Sequence, residues 1–190
     1  MKTSTVSLLV LLVLAATLTG CLDGSDEGQA GTFELMVSDQ PNAIEDFEHL
    51  NVTFSEARVF AEGADNETDN ESDNETDNQS DNESDEGFET IDIEGETVDL
   101  TTVVGDRATS IANVSLEEGN YSKVELHVDS TEGTVDGEQA DVKVPSNKLM
   151  ITKNFTIEAN ETTSFVFDIQ VVEKGNGGYN LLPVVSESGV

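Results

Sequence analysis

The sequence contains few side chains that could perform catalysis. His49 and His127 are its two histidines, and neither belongs to a recognisable motif. There is no Gly-x-Ser-x-Gly elbow, no His-Glu-x-x-His pair and no glycine-rich phosphate loop that opens a helix. The sequence therefore predicts no catalytic residue, no metal site and no cofactor. An extracellular hydrolase stays an alternative only if Asp39, His127 and Asp168 meet in one concave pocket.

Carboxylates are abundant, and two of them stand at the ends of predicted strands. Asp39 follows an alternating apolar segment, and Asp168 stands between Phe167 and Ile169. Carboxylate oxygens are ligands that Ca²⁺ prefers, so a calcium-dependent surface binding module is a second hypothesis for this chain. The acidic repeat described below lacks the glycines and apolar anchors of ordered calcium loops, and it predicts only weak, diffuse association with cations.

The single cysteine has a position that predicts its chemistry. Residues 1–20 combine Lys2, a 13-residue apolar stretch and small residues, which is the pattern of a secretory signal peptide. The stretch is shorter than the ~20 residues that a membrane-spanning helix needs. The residues before Cys21 resemble the lipobox of prokaryotic lipoproteins, and they are Leu18, Thr19 and Gly20. This resemblance implies a two-chain lipid on the cysteine sulfur and a location at the extracellular face of the cell membrane.

The most unusual segment is a four-residue repeat. The unit Asn-(Glu/Gln)-(Ser/Thr)-Asp occurs five times without interruption. It has no apolar residue whose burial would offset the entropy of ordering, so we expect a disordered loop over residues 62–87. Each unit is also a sequon for N-glycosylation of exported proteins, although an unmodified acidic repeat is the alternative. The candidate acceptors are Asn66, Asn70, Asn74, Asn78 and Asn82 in the repeat and Asn51, Asn113, Asn120, Asn154 and Asn160 outside it.

Charge is the strongest global signal. The chain has 40 acidic and 8 basic residues, a formal net charge of −32, and removing the 11 acids of residues 65–86 still leaves −21. Self-repulsion of this kind destabilises a compact state in dilute buffer, whereas at about 1 M salt the Debye length is only ~3 Å. We therefore expect adaptation to a high-salt medium, with an ordinary acidic protein carrying an acidic insert as the alternative. The lack of a basic face argues against a nucleic-acid partner.

Most of the chain carries the pattern of short β-strands. Apolar residues alternate with polar ones between turn signals, and no long helical stripe is present. The pattern predicts an all-β fold, an antiparallel Greek-key β-sandwich of the immunoglobulin or transthyretin type over residues 32–187, interrupted by the loop 62–87. Residues 21–31 are glycine-rich and acidic and predict a lipidated, flexible tether. Tyr121, placed after a Leu-x-x-Gly turn, resembles the tyrosine corner of such sandwiches.

Five segments share the order and character of one known family. They are residues 33–41, 116–126, 144–146, 165–168 and 179–184. Together they resemble the Domain of Unknown Function 4382 family, found in archaeal and bacterial exported lipoproteins. The repeat falls outside the resemblance, where the family pattern has a shorter connection. The resemblance implies a β-sandwich at the cell surface and assigns no functional residue, and combined with the charge it suggests a halophilic archaeon.

These patterns together predict a non-catalytic surface lipoprotein. Its sandwich domain would serve binding, adhesion or envelope interaction, and the lipid at Cys21 would hold it on the membrane. An envelope protein or a glycan is the expected partner. Nothing in the residues identifies which one.

Overall fold

The computed structural model describes residues 29–63, 87–175 and 177–190. Several predictions therefore concern residues outside the described part of the chain. They are the signal peptide of residues 1–20, the lipobox residues Leu18, Thr19 and Gly20, the anchor Cys21, and the repeat acceptors Asn66, Asn70, Asn74, Asn78 and Asn82. These stay predictions, as does the disordered loop.

The described residues form ten strands and three short 3₁₀ turns. The strands are β1 (Ala30–Asp39), β2 (Phe47–Ala61), β3 (Phe88–Asp99), β4 (Thr109–Glu117), β5 (Gly119–Val135), β6 (Glu138–Ala140), β7 (Val142–Lys143), β8 (Lys148–Ile157), β9 (Thr162–Glu173) and β10 (Tyr179–Pro183). The 3₁₀ turns are Ala43–Asp46, Leu100–Thr102 and Pro145–Asn147. No helix in the described ranges is long and apolar enough to cross a membrane.

The strands build two packed sheets, which confirms the predicted all-β sandwich. Sheet A has the order β4-β1-β9-β10-β7. In sheet B the order is β3-β2-β5-β6, and β8 pairs with the first half of β5 on the same edge as β6. Strands β3 and β4 adjoin at one side of the sandwich, while β6, β7, β8 and β10 occupy the other. Pairing is mainly antiparallel, as expected.

Two strand pairs are parallel, β1 with β9 and β10 with β7. The first follows from the chain path. Strand β8 ends beside the start of β1, and only a short connection separates β8 from β9. Strand β9 therefore also begins beside the start of β1, and it runs in the same direction as β1. The period of two assigns the residues of a strand to its two faces, but it does not say which strands lie beside it. No local pattern therefore indicated that β1 and β9 pair in parallel.

The core lies between the sheets and is built from the predicted alternating residues. Phe33, Phe155 and Phe165 form a ring cluster with centroid separations of 5.0 to 6.3 Å. Tyr121 stacks on Phe155 at 5.5 Å, and its hydroxyl donates to the carbonyl of Glu117 at 3.0 Å. This hydrogen bond confirms the predicted tyrosine corner. The register of β2 against β3 shifts between Phe54 and Glu56, beside Ser55.

The sandwich has two ends, which we name the Ala30 end and the Asp39 end after the limits of β1. At the Ala30 end, the amide of Glu118 donates to the carbonyl of Gln29, and the amide of Asn160 donates to the carbonyl of Ala30. The two borders of the repeat segment meet at this same end. There the amide of Ala61 donates to the carbonyl of Gly87 at 3.1 Å.

Candidate functional site

Asp39 is the last residue of β1 and continues its core-facing series. Leu35 and Val37 precede it on that face, and Ile169 is its register neighbour in β9. Asp39 has no exposed surface, and neither carboxyl oxygen has a hydrogen-bond partner among the described residues. Burial, together with the charge of Asp168, raises the pKa of Asp39 to about 8. The carboxyl is therefore mainly protonated at neutral pH.

Asp168 lies on the opposite face of sheet A, where it organises a polar cluster. The hydroxyl of Ser38 donates to its Oδ1 at 2.6 Å, and the side-chain amide of Gln40 donates to its Oδ2. The backbone amide of Asp168 donates to the hydroxyl of Ser188, which in turn donates to the carbonyl of Val184 at 2.7 Å. Asp168 is 2% exposed. The cluster therefore holds the C-terminal segment against β9.

The strand-end carboxylates do not form the cation site considered from the sequence. Asp39 points into the core and Asp168 points to the outer face, so their oxygens do not converge on one point. His127 lies on β5 in sheet B, whereas both aspartates lie in sheet A. The pocket that the hydrolase alternative requires is therefore not formed. In the ranges that the structure describes, no three His, Cys, Asp or Glu side chains are placed to hold a metal ion.

His127 belongs to a charged cluster on the outer face of sheet B. Its Nε2 atom is 3.7 Å from Glu56 Oε1 and 3.7 Å from Glu125 Oε2. Arg58 pairs with Glu56 at 2.8 Å, and Lys148 pairs with Glu125 at 3.2 Å. Each carboxylate thus already has a cationic partner. The cluster is an ion network, in which His127 Nε2 is buried and has no hydrogen-bond partner among the described residues.

The other histidine makes a structural contact. His49 Nε2 is 3.2 Å from the hydroxyl of Thr134 on the neighbouring strand β5. This contact joins β2 to the end of β5 and involves no carboxylate.

Two adjoining clefts of about 370 and 330 Å³ lie at the side of the sandwich formed by β6, β7 and β8. They share Thr131 and Val142, and we call them together the edge groove. The groove exists because β8 pairs with β5 up to His127 and β6 pairs with it again from Gly133. Between those points β5 has no strand partner on this side. The segment of Val142 crosses to sheet A instead and pairs with β10.

The side chains of the edge groove are mainly polar. Asp129, Ser130 and Asn147 are exposed, and within the described part of the chain their side chains form no hydrogen bond or ion pair. Lys143 lines the same groove and is 3.8 Å from Asp141. Sequence patterns did not indicate this site, because it arises from a gap between two strands that pair with a third. The one local signal was Pro145, which ends β7.

The sequons outside the repeat occupy different surroundings. Asn113, Asn120, Asn154 and Asn160 are exposed, whereas Asn51 is half-buried on β2. Asn120 accepts a hydrogen bond from the hydroxyl of Thr156 at 2.9 Å, which joins two sequons on neighbouring strands. Asn160 lies in the turn between β8 and β9 with a positive φ of 60°. Among the described acceptors, it is the one that lies outside a strand.

Residues 30–183 match the family model described as "Domain of unknown function (DUF4382)". The chain belongs to the DUF4382 family. The matched region begins at Ala30 and ends at Pro183, so the DUF4382 region spans all ten strands and both sheets. The resemblance seen in the sequence is therefore confirmed.

Other comparisons add little to the DUF4382 assignment. No curated protein matches the chain. Among solved structures, the chain is similar to a leucine-rich repeat protein from Bacteroides thetaiotaomicron VPI-5482, with 13% identity and a TM-score of 0.30. That similarity covers 73% of this chain and 13% of the other protein.

Proposed function

We propose that this DUF4382 protein is a lipid-anchored protein of the extracellular membrane face whose sandwich domain binds an envelope component and performs no catalysis. The lipobox-like sequence before Cys21 supports the anchor. The separate locations of Asp39, Asp168 and His127 support a binding role over a hydrolytic one, because no pair of them forms a nucleophile and its base.

The observation that carries the proposal is the place where the tether meets the domain. Strand β1 begins at Ala30, so nine residue steps separate it from Cys21. An extended chain spans at most ~3.6 Å per residue, which places the Ala30 end within about 30 Å of the lipid. The Asp39 end and the side bearing the edge groove then face away from the membrane or along it.

The repeat segment leaves the domain on the membrane side. Ala61 and Gly87 meet at the Ala30 end, so the described borders of the repeat segment lie at the end of the domain where β1 begins. Eleven acidic residues in residues 65–86 would repel an anionic membrane surface and hold hydration water. We propose that this segment acts as a spacer between the domain and the membrane, with N-glycans extending it where the sequons are occupied.

The charge supports a high-salt surrounding for the protein. At a net charge of −32, screening by salt should raise the stability of the compact domain. A melting series in increasing KCl tests this part of the proposal by itself. A melting temperature that stays constant or falls between about 0.1 and 1 M KCl would count against adaptation to salt.

The anchor is tested by fractionation of the native host. The wild-type protein should sediment with membranes, and its first peptide should begin at a Cys21 that carries the mass of a two-chain lipid. The Cys21→Ser variant should appear in the medium. A variant that still sediments with membranes, or a Cys21 without lipid, would refute the anchor. The same peptide map shows whether the residues 66–84 carry glycans.

A further inference from the structure

We propose that the edge groove binds an uncharged saccharide chain of the cell envelope. This inference rests on the proposed function, because it names the site and the ligand class of the binding domain. The groove is open at the side of β6, β7 and β8, and its two clefts adjoin at Thr131 and Val142. Clefts that open at the surface on both sides of the Thr131–Val142 contact suit a ligand that extends beyond either cleft.

The polar side chains of the groove are free to bind a ligand. Asp129, Ser130 and Asn147 make no side-chain contact that would occupy them, among the residues that the structure describes. The polar clusters elsewhere differ in this respect, since Asp168 and Glu125 already have hydrogen-bonded or charged partners. In the groove, acceptors, donors and hydroxyls therefore face solvent together.

The chemistry of these groups matches a sugar hydroxyl. Each hydroxyl both donates and accepts a hydrogen bond, and it therefore needs acceptors and donors close together. Asp129 supplies an acceptor, Lys143 a donor, and Ser130 and Asn147 supply both. Val142 is half-buried in the same cleft, and it offers apolar contact to the C–H groups of a sugar ring.

Two other ligand classes fit less well. An anionic polymer would contact the carboxylates of Asp129 and Asp141, whose repulsion salt screens least at contact distance. An added peptide strand has no room, because the hydroxyl of Thr131 already donates to the carbonyl of Val142 at 3.0 Å. A strand inserted between β5 and β7 would need two inter-strand spacings of about 4.8 Å each.

The test uses the full-length lipoprotein in a zwitterionic detergent at high salt. The probes are tetrasaccharides of glucose, mannose and galactose, titrated in a calorimeter, with a hexuronate tetramer as the anionic probe. At least one uncharged probe should bind. Asp129→Ala and Asn147→Gly should each weaken that binding by about tenfold, the effect of losing one or two hydrogen bonds. Glycine at position 147 keeps the left-handed backbone, where Asn147 has a φ of 54°.

The matched control is Asp106→Ala, which removes an exposed aspartate that does not line the groove. It should leave the affinity unchanged, and melting curves should show that all three variants remain folded. Failure of every uncharged probe to bind, exclusive binding of the hexuronate, or an equal loss in Asp106→Ala would each overturn the proposal. Membrane fractionation of the same variants keeps the anchor separate, because groove variants should remain membrane-bound whatever their affinity.

Discussion

Asp39 and Asp168 lie one register step apart on the parallel strands β1 and β9, and their side chains occupy opposite faces of sheet A. Ser38, which precedes Asp39, is the register neighbour of Asp168 and donates to its Oδ1 at 2.6 Å. One carboxyl therefore has a full set of donors, while the other has none among the described residues. The two aspartates should respond differently to pH and to substitution.

Replacing Asp39 by asparagine should stabilise the domain at alkaline pH. Because the pKa of Asp39 is raised to about 8 in the folded state and lies near 3.8 ordinarily, the unfolded chain loses this proton first. The free energy of unfolding should then fall as pH rises between these values, by up to ~1.4 kcal/mol per pH unit, and level off above pH 8. Asp39→Asn removes this contribution, so its advantage over wild type should grow from pH 4 to pH 8.

Denaturant titrations at constant high salt, run at several pH values, measure this difference. Asp106→Asn is the control, since it removes an exposed aspartate at the same end of the sandwich. An Asp39→Asn variant whose difference from wild type is independent of pH would show that Asp39 ionises freely in the folded protein.

Replacing Asp168 by alanine should destabilise the protein. The substitution leaves the hydroxyl of Ser38 and the amide of Gln40 without their acceptor. An unpaired buried donor costs about 1–3 kcal/mol. Ser38→Ala removes one donor and leaves the acceptor with Gln40, so its effect should be smaller. Unfolding curves give both values. Equal stability of Asp168→Ala and Ser38→Ala would contradict a role of Asp168 as the shared acceptor of Ser38 and Gln40.

Lys148 should contribute more to stability than Lys143, although both pair with a carboxylate. Lys148 lies 3.2 Å from Glu125, whose side chain is 8% exposed, so Lys148→Met strands a buried charge. Lys143 lies 3.8 Å from Asp141, and both side chains are 66% exposed. We expect a loss of about 1–3 kcal/mol for Lys148→Met and less than about 0.5 kcal/mol for Lys143→Met. Chemical denaturation measures the free energy of unfolding of both variants. A larger loss for Lys143→Met would show that the ion pair of Lys143, and not that of Lys148, is the more buried one.

Gly31 should resist substitution, whereas Gly119 should tolerate it. A Cβ at Gly31 would lie 2.7 Å from Ile157 Cγ2 and also against the carbonyl of Glu158, but a Cβ at Gly119 meets nothing within 4 Å. Overpacking of this kind costs about 1–3 kcal/mol, so Gly31→Ala should lower the melting temperature while Gly119→Ala leaves it nearly unchanged. Because Gly31 is where the tether enters β1, its intolerance would show that the two sheets close tightly at the Ala30 end. A neutral Gly31→Ala would show instead that this end can open.

Local patterns predicted much of the fold. The alternation of Phe33, Leu35 and Val37 predicted β1 and its core face, because a period of two assigns alternate residues to opposite sides of a strand. The spacing of Gly119 and Tyr121 predicted the hydrogen bond from Tyr121 to Glu117, which closes within five residues. Asp136 and Gly137 form the turn between β5 and β6, and both have the positive φ that an Asp-Gly pair favours in a tight hairpin.

The sequence by itself determined the strands, their core-facing residues, the turns and the excess of negative charge, because each of these depends on residues close together in the chain. Only the tertiary structure decided which strands are neighbours. Ser38 and Asp168 meet across 130 positions because β9 lies parallel to β1, and the edge groove opens because β8 and β6 leave part of β5 unpaired. Such contacts depend on long-range packing between sheets, and periodicity within one strand contains no information about it.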